Sequence, residues 1–579
     1  MRLSNRMQML CLAVLVLAIY YISISATVNP VDDNALIQWL NNNENLSLRD
    51  IFSWTTGSYY RPLLQSSFLF DMKIWGASSS FMHLENVLLH LLNTLLLFVC
   101  AGIINRNVEP RLSWPPFVVA FLFAVHPINT EAVNWISGRS DLLACSFVLL
   151  ATIILLRGME LRRPIYTYLS LLPIIPGLLC KETTAFFLPA AVILVVSDDI
   201  FLTDSSGIFW QRIRLRIAYL VPYLILPVIY LLLRAIWLSS SAFGLQPLAR
   251  LIAERGLTVG DSLALLISGI GFYVKKIVYP WPLNFTIAQL PEYSFVAGLC
   301  VLPLLCYCLW RLTFIKGLYL AAFSIGLSAL MVLLLRPAWT PLAERYLYVP
   351  AAFFCLALVF TCAIRLDPLL RHWAGTTIIL VVCALMTFST VQRNLLWQDN
   401  LHFFADAVKK SPNFPFVRSV YADLLIQAGH VEEGAAIIRT NTAAEGVRNA
   451  DFLDLKRAKL LYNEGRYLQA KKLILKTRRK DSPLYYLFQN LLADVDTKLL
   501  GMISGEPQRE LLDETVKVLL ELRKTYQEPL YYYRVAKLYL SYGEKQKAAE
   551  FFHLAAEQSP EGTHYKVAAA ALAEKLSRQ

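Results

Sequence analysis

Long apolar runs fill positions 9 to 391 of the chain and almost none follow. Crossing about 30 Å of hydrocarbon takes around 20 residues of helix. The runs at 9–25, 84–104, 115–127, 141–157, 165–180, 183–197, 217–238, 294–312, 317–335, 346–363 and 375–391 therefore predict eleven transmembrane helices, several of them short. The fold class is all-α: a polytopic helical bundle over 1–391, then a soluble helical domain over 395–579. One further stretch, 262–280, is interrupted by Gly269 and Gly271 and followed by Lys275, Lys276 and the Pro-rich YPWPLN, and is expected to be re-entrant or interfacial. Arg2 and Arg6 precede the first run, which is long for a signal peptide and is expected to remain as the first span.

With the Arg-bearing N-terminus inside, the inner loops 105–114, 158–164, 198–216, 313–316 and 364–374 are all basic, as membrane orientation requires. The outer segments are then 26–83, 128–140, the Lys181–Glu182 junction, 239–293, 336–345 and everything after 391. The net charge of +12 thus reads as orientation and not as nucleic-acid binding. Only 17% of residues are charged and the mean hydropathy is +0.48, which sets most of the chain in lipid. All ten cysteines lie in or beside apolar segments, so neither a disulfide framework nor a thiolate metal site is expected.

The polar tail repeats one spacing. Ala422, Gly429, Gly434 and Ile438 share a register with Ala458, Gly465, Ala470 and Ile474, and with Ala536, Gly543, Ala548 and Phe552. A small residue, Gly at +7, small at +12 and bulky at +16 is how two antiparallel helices pack around a tight turn, and it matches the tetratricopeptide repeat. The first two copies are 36 residues apart and the second and third 78, so a divergent pair is expected at about 484–526. Such solenoids are generally binding devices.

Four polar constellations fall on the predicted outer side, where ionisable groups at membrane depth are functional candidates because burying them is costly. Asp32–Asp33 follow the first span; a surface carboxylate there suits a general base, and an acidic helix start is the plainer account. His83, Asn86, His90 and Asn93 lie at i, i+3, i+7 and i+10 on one helical face, where interhelical hydrogen bonding explains them as well as substrate contact does. Two turns separate the histidines, which disfavours a metal, and none is predicted. HPINTEAVNWISGRSD, with His126, Glu131, Arg139 and Asp141, is too polar for a chance interruption of a span. Arg61, the Lys181–Glu182 pair and Arg345 with the adjoining Tyr346 supply cations of the kind that stabilise a departing phosphate.

On VDDNAL, YYRPL, H-x-x-N-x-x-x-H-x-x-N, HPINTEAVNWISGRSD, CKETT and AERYLYVP, the chain resembles the membrane-embedded glycosyltransferases of the protein O-mannosyltransferase type, most closely those fused to tetratricopeptide repeats. The resemblance implies a C-type glycosyltransferase fold that takes a polyprenyl- or dolichyl-phosphate sugar as donor and a protein hydroxyl as acceptor, inverting the anomeric centre. It places the base at Asp32, with Asp33 beside it, and phosphate contacts at Arg139, Lys181 and Arg345. Arg61, His90, Asn93, His126, Glu131, Asp141, Glu182 and Tyr346 complete the candidate substrate site, and the repeats would hold the acceptor or a partner. No cofactor beyond the lipid-linked donor is implied. A lipid or glycan acceptor, or a non-enzymatic envelope scaffold, are the other readings. The compact chain favours a bacterial inner membrane with the repeats in the periplasm, although Asn45-Leu46-Ser47 and Asn284-Phe285-Thr286 fit the glycosylation sequon.

Overall fold

A computed structural model describes residues 4–42, 47–53, 60–108, 112, 114–201, 216–226, 258–287, 289–310, 312–335, 342–365, 373–441, 447–478, 480, 482, 484–526, 528–559, 563 and 565–578. Two compact units result, Met1–Ser411 and Pro412–Gln579. The fold is all-α, a transmembrane helical bundle followed by a tetratricopeptide-like solenoid.

Each of the eleven predicted spans falls on an apolar helix, although 227–238 of one lies outside the described residues. Seven helices are long and apolar enough to cross a membrane. The pair Pro115–Val125 and Pro127–Asn134, bent by 49°, would make an eighth. Ile165–Cys180, Glu182–Val196 and Arg216–Leu226 are shorter. The predicted re-entrant stretch is the helix Val259–Val278, which carries Asp261, Lys275 and Lys276 and is not among the helices apolar enough to cross. It packs on Tyr293–Trp310 through glycine: a Cβ on Gly271 would lie 2.1 Å from the Ser294 carbonyl, and one on Gly298 would lie 2.0 Å from that of Ile267.

The helix Ser79–Asn107 shows why the bundle closes as it does. Its 29 residues reach about 43 Å, longer than the hydrocarbon is thick. Phe81, Leu88, Leu92 and Val99 are exposed on one face, while His83, Asn86, His90 and Asn93 are buried on the other. The bend after Val125 frees backbone groups that side chains then satisfy. His126 Nδ1 accepts from the Ile128 N–H, and Asn129 Nδ2 donates to the Phe123 carbonyl at 2.7 Å.

First and last spans leave the bundle at the same end. Ser25 donates to Gln398 Oε1 at 3.0 Å, Gln398 Nε2 to the Ile22 carbonyl at 2.9 Å, and Asn400 Nδ2 to the Val28 carbonyl at 2.8 Å. The basic loops gather at the other end, where Arg106 and Arg157 share Glu160 and Arg216 bonds the Asp198 carbonyl. Arg111, Arg212, Arg214, Arg311 and Arg371 lie outside the described residues. The first unit runs past the last span: Trp397, Phe403 and Phe404 are buried, and the helix Asn400–Lys410 packs on Phe285.

In the second unit the helix pairs are Pro415–Gln427 with Val431–Thr440, Val447–Asn463 with Tyr467–Thr477, Tyr485–Leu500 with Glu506–Tyr526, and Leu530–Ser541 with Lys545–Gln558. The third pair fills the gap expected at about 484–526. The spacing rule has a direct physical basis. Gly429, Gly465 and Gly543 take positive φ of 93°, 74° and 83° in the turns. At +12, a Cβ on Gly434 would sit 2.6 Å from the carbonyl of Ala422, so the helices touch backbone to backbone.

Replacing Gly271 or Gly298 by leucine drives a side chain into opposing backbone and is expected to cost at least about 1–3 kcal/mol. The check is the thermal midpoint of detergent-solubilised protein; Gly260→Leu, whose Cβ meets only the flexible Thr258 side chain, is the control expected to melt near wild type.

Candidate functional site

The site grows from the segment between Val125 and Arg139. Short turns at Pro127–Asn129, Thr130–Asn134 and Ile136–Gly138 stack in sequence. Gly138 makes this possible, because a Cβ there would lie 2.4 Å from the Ala132 carbonyl. Asp33 docks onto the last turn, accepting the Ser137 N–H at 3.0 Å, the Ser137 hydroxyl at 2.6 Å and the Ile136 N–H at 3.3 Å. Burial pushes its pKa up to about 7 against those donors. Asp33 is fully buried, whereas Asp32 beside it is exposed. Asp32 nevertheless has its pKa raised by surrounding protein, with Arg345 pulling it back down. A carboxylate that meets solvent yet is partly dehydrated and faces a cation sits in a recess.

Arg345 lies 313 residues from Asp32 in the chain. Its guanidinium donates to Glu131 Oε1 at 2.5 Å, and Glu131 Oε2 accepts the backbone N–H of Glu344 at 3.0 Å and of Arg345 at 3.2 Å. The guanidinium also lies 4.5 Å over the Trp135 ring and 4.9 Å over that of Tyr346. Lys181 pairs with Asp141 at 2.5 Å and stands 5.7 Å over the Tyr346 ring. Arg61 pairs with Glu182 at 2.7 Å. The charges of Arg61 and Arg345 both act on Lys181, so three cations from separate elements converge. Their side chains are 23%, 11% and 7% exposed for Arg61, Arg345 and Lys181, a gradient from mouth to floor.

Several candidate residues are committed to the protein instead. Arg139, expected at a phosphate, is 1% exposed and donates to Asp71, Asn86 and the Met82 carbonyl, with Glu85 at 3.0 Å. Two residues before Asp141 at the start of the same helix, it projects from roughly the opposite face, into the fold's interior and away from the cluster. His90 bonds the Tyr348 hydroxyl at 2.7 Å and the Ala124 carbonyl; Asn93 bonds the Leu142 carbonyl, Tyr348 and Ser146. His126 Nε2 meets the Ile277 carbonyl at 3.0 Å. All three thus hold hydrogen bonds within the protein. Asn284, in a sequon, is buried and bonded to the Thr286 carbonyl and Ser411, which withholds it from a glycosylating enzyme once folded; Asn45 lies outside the described residues.

The chain is similar to proteins named protein O-mannosyl-transferases. Protein O-mannosyl-transferase TMTC1 of Homo sapiens is 28% identical over 435 residues, 67% of this chain and 48% of that protein. A Caenorhabditis elegans protein O-mannosyl-transferase is 24% identical over 392 residues, 63% of this chain and 50% of its own length. Tmtc2 of Drosophila melanogaster is 33% identical over 162 residues, 27% of this chain and 16% of its own. The chain spans about half the length of the curated relatives that it matches most broadly. No family model matches.

Nothing in the sequence places Asp71, Lys276 or Glu344 at the site. Lys276 and Glu344 form a buried pair at 2.5 Å, and Glu344 also accepts the Asn284 N–H at 2.9 Å. Glu344 lies in AERYLYVP beside Arg345, and no spacing along the chain marks it as buried. Asp71 sits in PLLQSSFLFDMKIW, where a lone carboxylate on an amphipathic helix reads as a surface charge. Among the described residues there is no group of three or more His, Cys, Asp or Glu side chains placed to hold a metal ion.

Arg139→Ala strands Asp71 in the interior and is expected to destabilise the protein by about 3–5 kcal/mol, whereas the double change Arg139→Met with Asp71→Leu removes both charges and recovers much of that loss. Thermal unfolding in detergent decides it: a double variant no more stable than Arg139→Ala would disprove the structural assignment of the pair.

Proposed function

We propose that this integral membrane protein transfers a mannosyl group from a polyprenyl- or dolichyl-phosphate carrier to a hydroxyl of a protein acceptor, on the side of the membrane where Asp32 lies. The observation that carries the reading is an exposed, partly dehydrated Asp32 within electrostatic range of Arg345, which with Lys181 and Arg61 forms a cluster of three cations. The names of the relatives support the sugar and the acceptor class.

Asp32 takes the proton of the acceptor hydroxyl, whose oxygen attacks the anomeric carbon as the bond to the lipid phosphate breaks. A single displacement inverts that centre. The departing phosphate develops charge, and Arg345 and Lys181, with Arg61 at the rim, are oriented beforehand to receive it. An arginine has five N–H donors, so the carboxylate that holds Arg345 leaves it able to bond a phosphate as well. Asp33 fixes the backbone on which Asp32 stands.

An apolar cavity of about 340 Å³ suits the carrier's hydrocarbon. It lies among the helices Val259–Val278, Tyr293–Trp310, Phe314–Leu335 and Tyr348–Arg365, lined by Ile277, Leu304, Tyr319, Leu330 and Phe354. Tyr273 and Leu347 line it too, and Tyr273 is within electrostatic range of Arg345, Tyr346 and Glu131, which joins the cavity to the polar site.

The repeats act as the acceptor-holding module, raising its local concentration at the site. The last span leaves the bundle at the same end as the first, the end that bears Asp32, which supports this reading. The named relatives are animal proteins, which favours a eukaryotic endomembrane over the bacterial inner membrane expected from the sequence.

Asp32→Asn should lower kcat by about 10²–10⁴-fold with little change in KM for the donor. In wild type the rate should rise with pH through a pKa above the usual carboxylate range, because burial raises Asp32. Transfer of labelled mannose from dolichyl phosphate mannose measures both; full activity in the variant refutes the base. Truncation after Ser411 keeps the first unit whole and should reduce transfer to a folded protein acceptor by about 10²-fold or more while sparing a short peptide. Truncation after Asn394 also removes Trp397, Phe403 and Phe404 from their packing and should abolish both. Equal losses for protein and peptide after Ser411 would argue against a binding role for the repeats.

A further inference from the structure

Phe285 is 1% exposed and sits at the hub of an aromatic cluster. Its ring meets Trp397 at 5.5 Å, Phe403 at 5.2 Å and Phe404 at 6.0 Å, and meets Trp135 edge-on at 5.6 Å with an interplanar angle of 85°. Trp135 in turn carries the Arg345 guanidinium on its face. The backbone around Phe285 is tied on both sides. Toward Arg345, the Asn284 N–H bonds Glu344 and Ile287 bridges Leu342. Toward the chain's exit, Lys410 bonds the Leu283 carbonyl at 2.8 Å and Ser411 the Thr286 carbonyl at 2.7 Å.

These contacts divide the holding of Arg345 into two parts. Glu131 grips the guanidinium through Nη1 and the Tyr346 hydroxyl lies at 3.4 Å from Nη2, edge contacts that fix a position and hold the plane only loosely. The Trp135 face fixes the plane. Trp135 has its indole N–H buried with no partner among the described residues, so no hydrogen bond from that group sets its tilt. Packing sets it, and the edge contact with Phe285 is part of that packing.

We propose that Phe285 is a positioning residue for the transfer reaction: held by the helix Asn400–Lys410, it wedges Trp135 so that the Arg345 guanidinium stays aimed at the Asp32 side of the site. The inference rests on the transfer reading above and adds to it a residue that touches neither substrate nor base. It also makes the helix leading out of the membrane unit a part of the active site's frame.

The test uses the full chain in liposomes with dolichyl phosphate mannose and an acceptor peptide. Phe285→Ala is expected to lower kcat by about 10-fold or more, since small misplacements of catalytic groups are costly, while KM for the peptide stays within about 2-fold. The acid limb of kcat/KM should move to higher pH. Asp32 is faced by Asp33 on its own segment and by Arg345 across the site; Arg345 is faced by Glu131, Asp141, Lys181, Tyr273 and Tyr346. Of these groups, Arg345 is the one whose guanidinium rests on the Trp135 face, and its withdrawal weakens the influence that lowers Asp32. A general loss of folded protein reduces amplitude without moving the limb. Phe552→Ala, an equally buried change in the repeat unit, is expected to leave the limb in place. If Phe285→Ala does not fold, Phe285→Leu fills the volume without the ring and should shift the limb in the same direction by less. A folded Phe285 variant with wild-type kcat and limb overturns the positioning role. A wild-type chain without turnover overturns the transfer reading first, and is recorded before any variant is compared.

Discussion

One carboxylate ties the site together. Glu131 accepts two backbone N–H groups and a guanidinium from the segment Glu344–Leu347, joining parts of the chain more than two hundred residues apart. Taking such charges out of water costs several kcal/mol per ion, and only pairing with further hydrogen bonds offsets it. The same constraint governs Lys181–Asp141, Lys276–Glu344 and Arg139–Asp71, all nearly free of solvent. Moving one helix out of register would leave a charge unpaired in an apolar medium. The bundle is therefore held in one arrangement by the cost of its alternatives more than by the strength of each pair.

That arrangement separates charges by role. Pairs completed inside the protein, such as Arg139 with Asp71, brace the frame. Arg345 with Glu131 and Arg61 with Glu182 are pairs whose arginine keeps an edge in reach of solvent. Asp32 and Asp33 divide in the same way, the buried one bound by three donors and the exposed one facing a cation. Asp32 lies in the turn that leads into the helix Asp33–Asn42 and Asp33 is that helix's first residue, so one sequence step carries a carboxylate from the exposed turn to the buried helix start.

Much of this was legible in the chain. Hydropathy located the apolar helices, seven of them long enough to cross, because the backbone in lipid must form helices, leaving runs of apolar residues as the visible trace. The tetratricopeptide register was readable because Gly429, Gly465 and Gly543 occupy turns that need positive φ, and because Gly434 at +12 meets the opposing backbone. The candidate site was legible as residue types and as a side of the membrane. The stripe His83, Asn86, His90 and Asn93 was legible as a buried face, but a face does not say whether its partner is a helix or a ligand.

The sequence by itself determined helices, their lipid-facing patterns, the repeat turns and the set of charges that a membrane protein would not carry without a purpose. All of these follow from local periodicity and from the solvent each stretch must meet. Tertiary structure alone decided which charge pairs with which: that Arg139 turns inward to Asp71, that Lys276 answers Glu344, and that Trp135, Phe285 and the helix after the last span frame Arg345. Such choices depend on distances between residues hundreds of positions apart, and a pairing energy that varies with burial and geometry leaves no periodic signature along the chain.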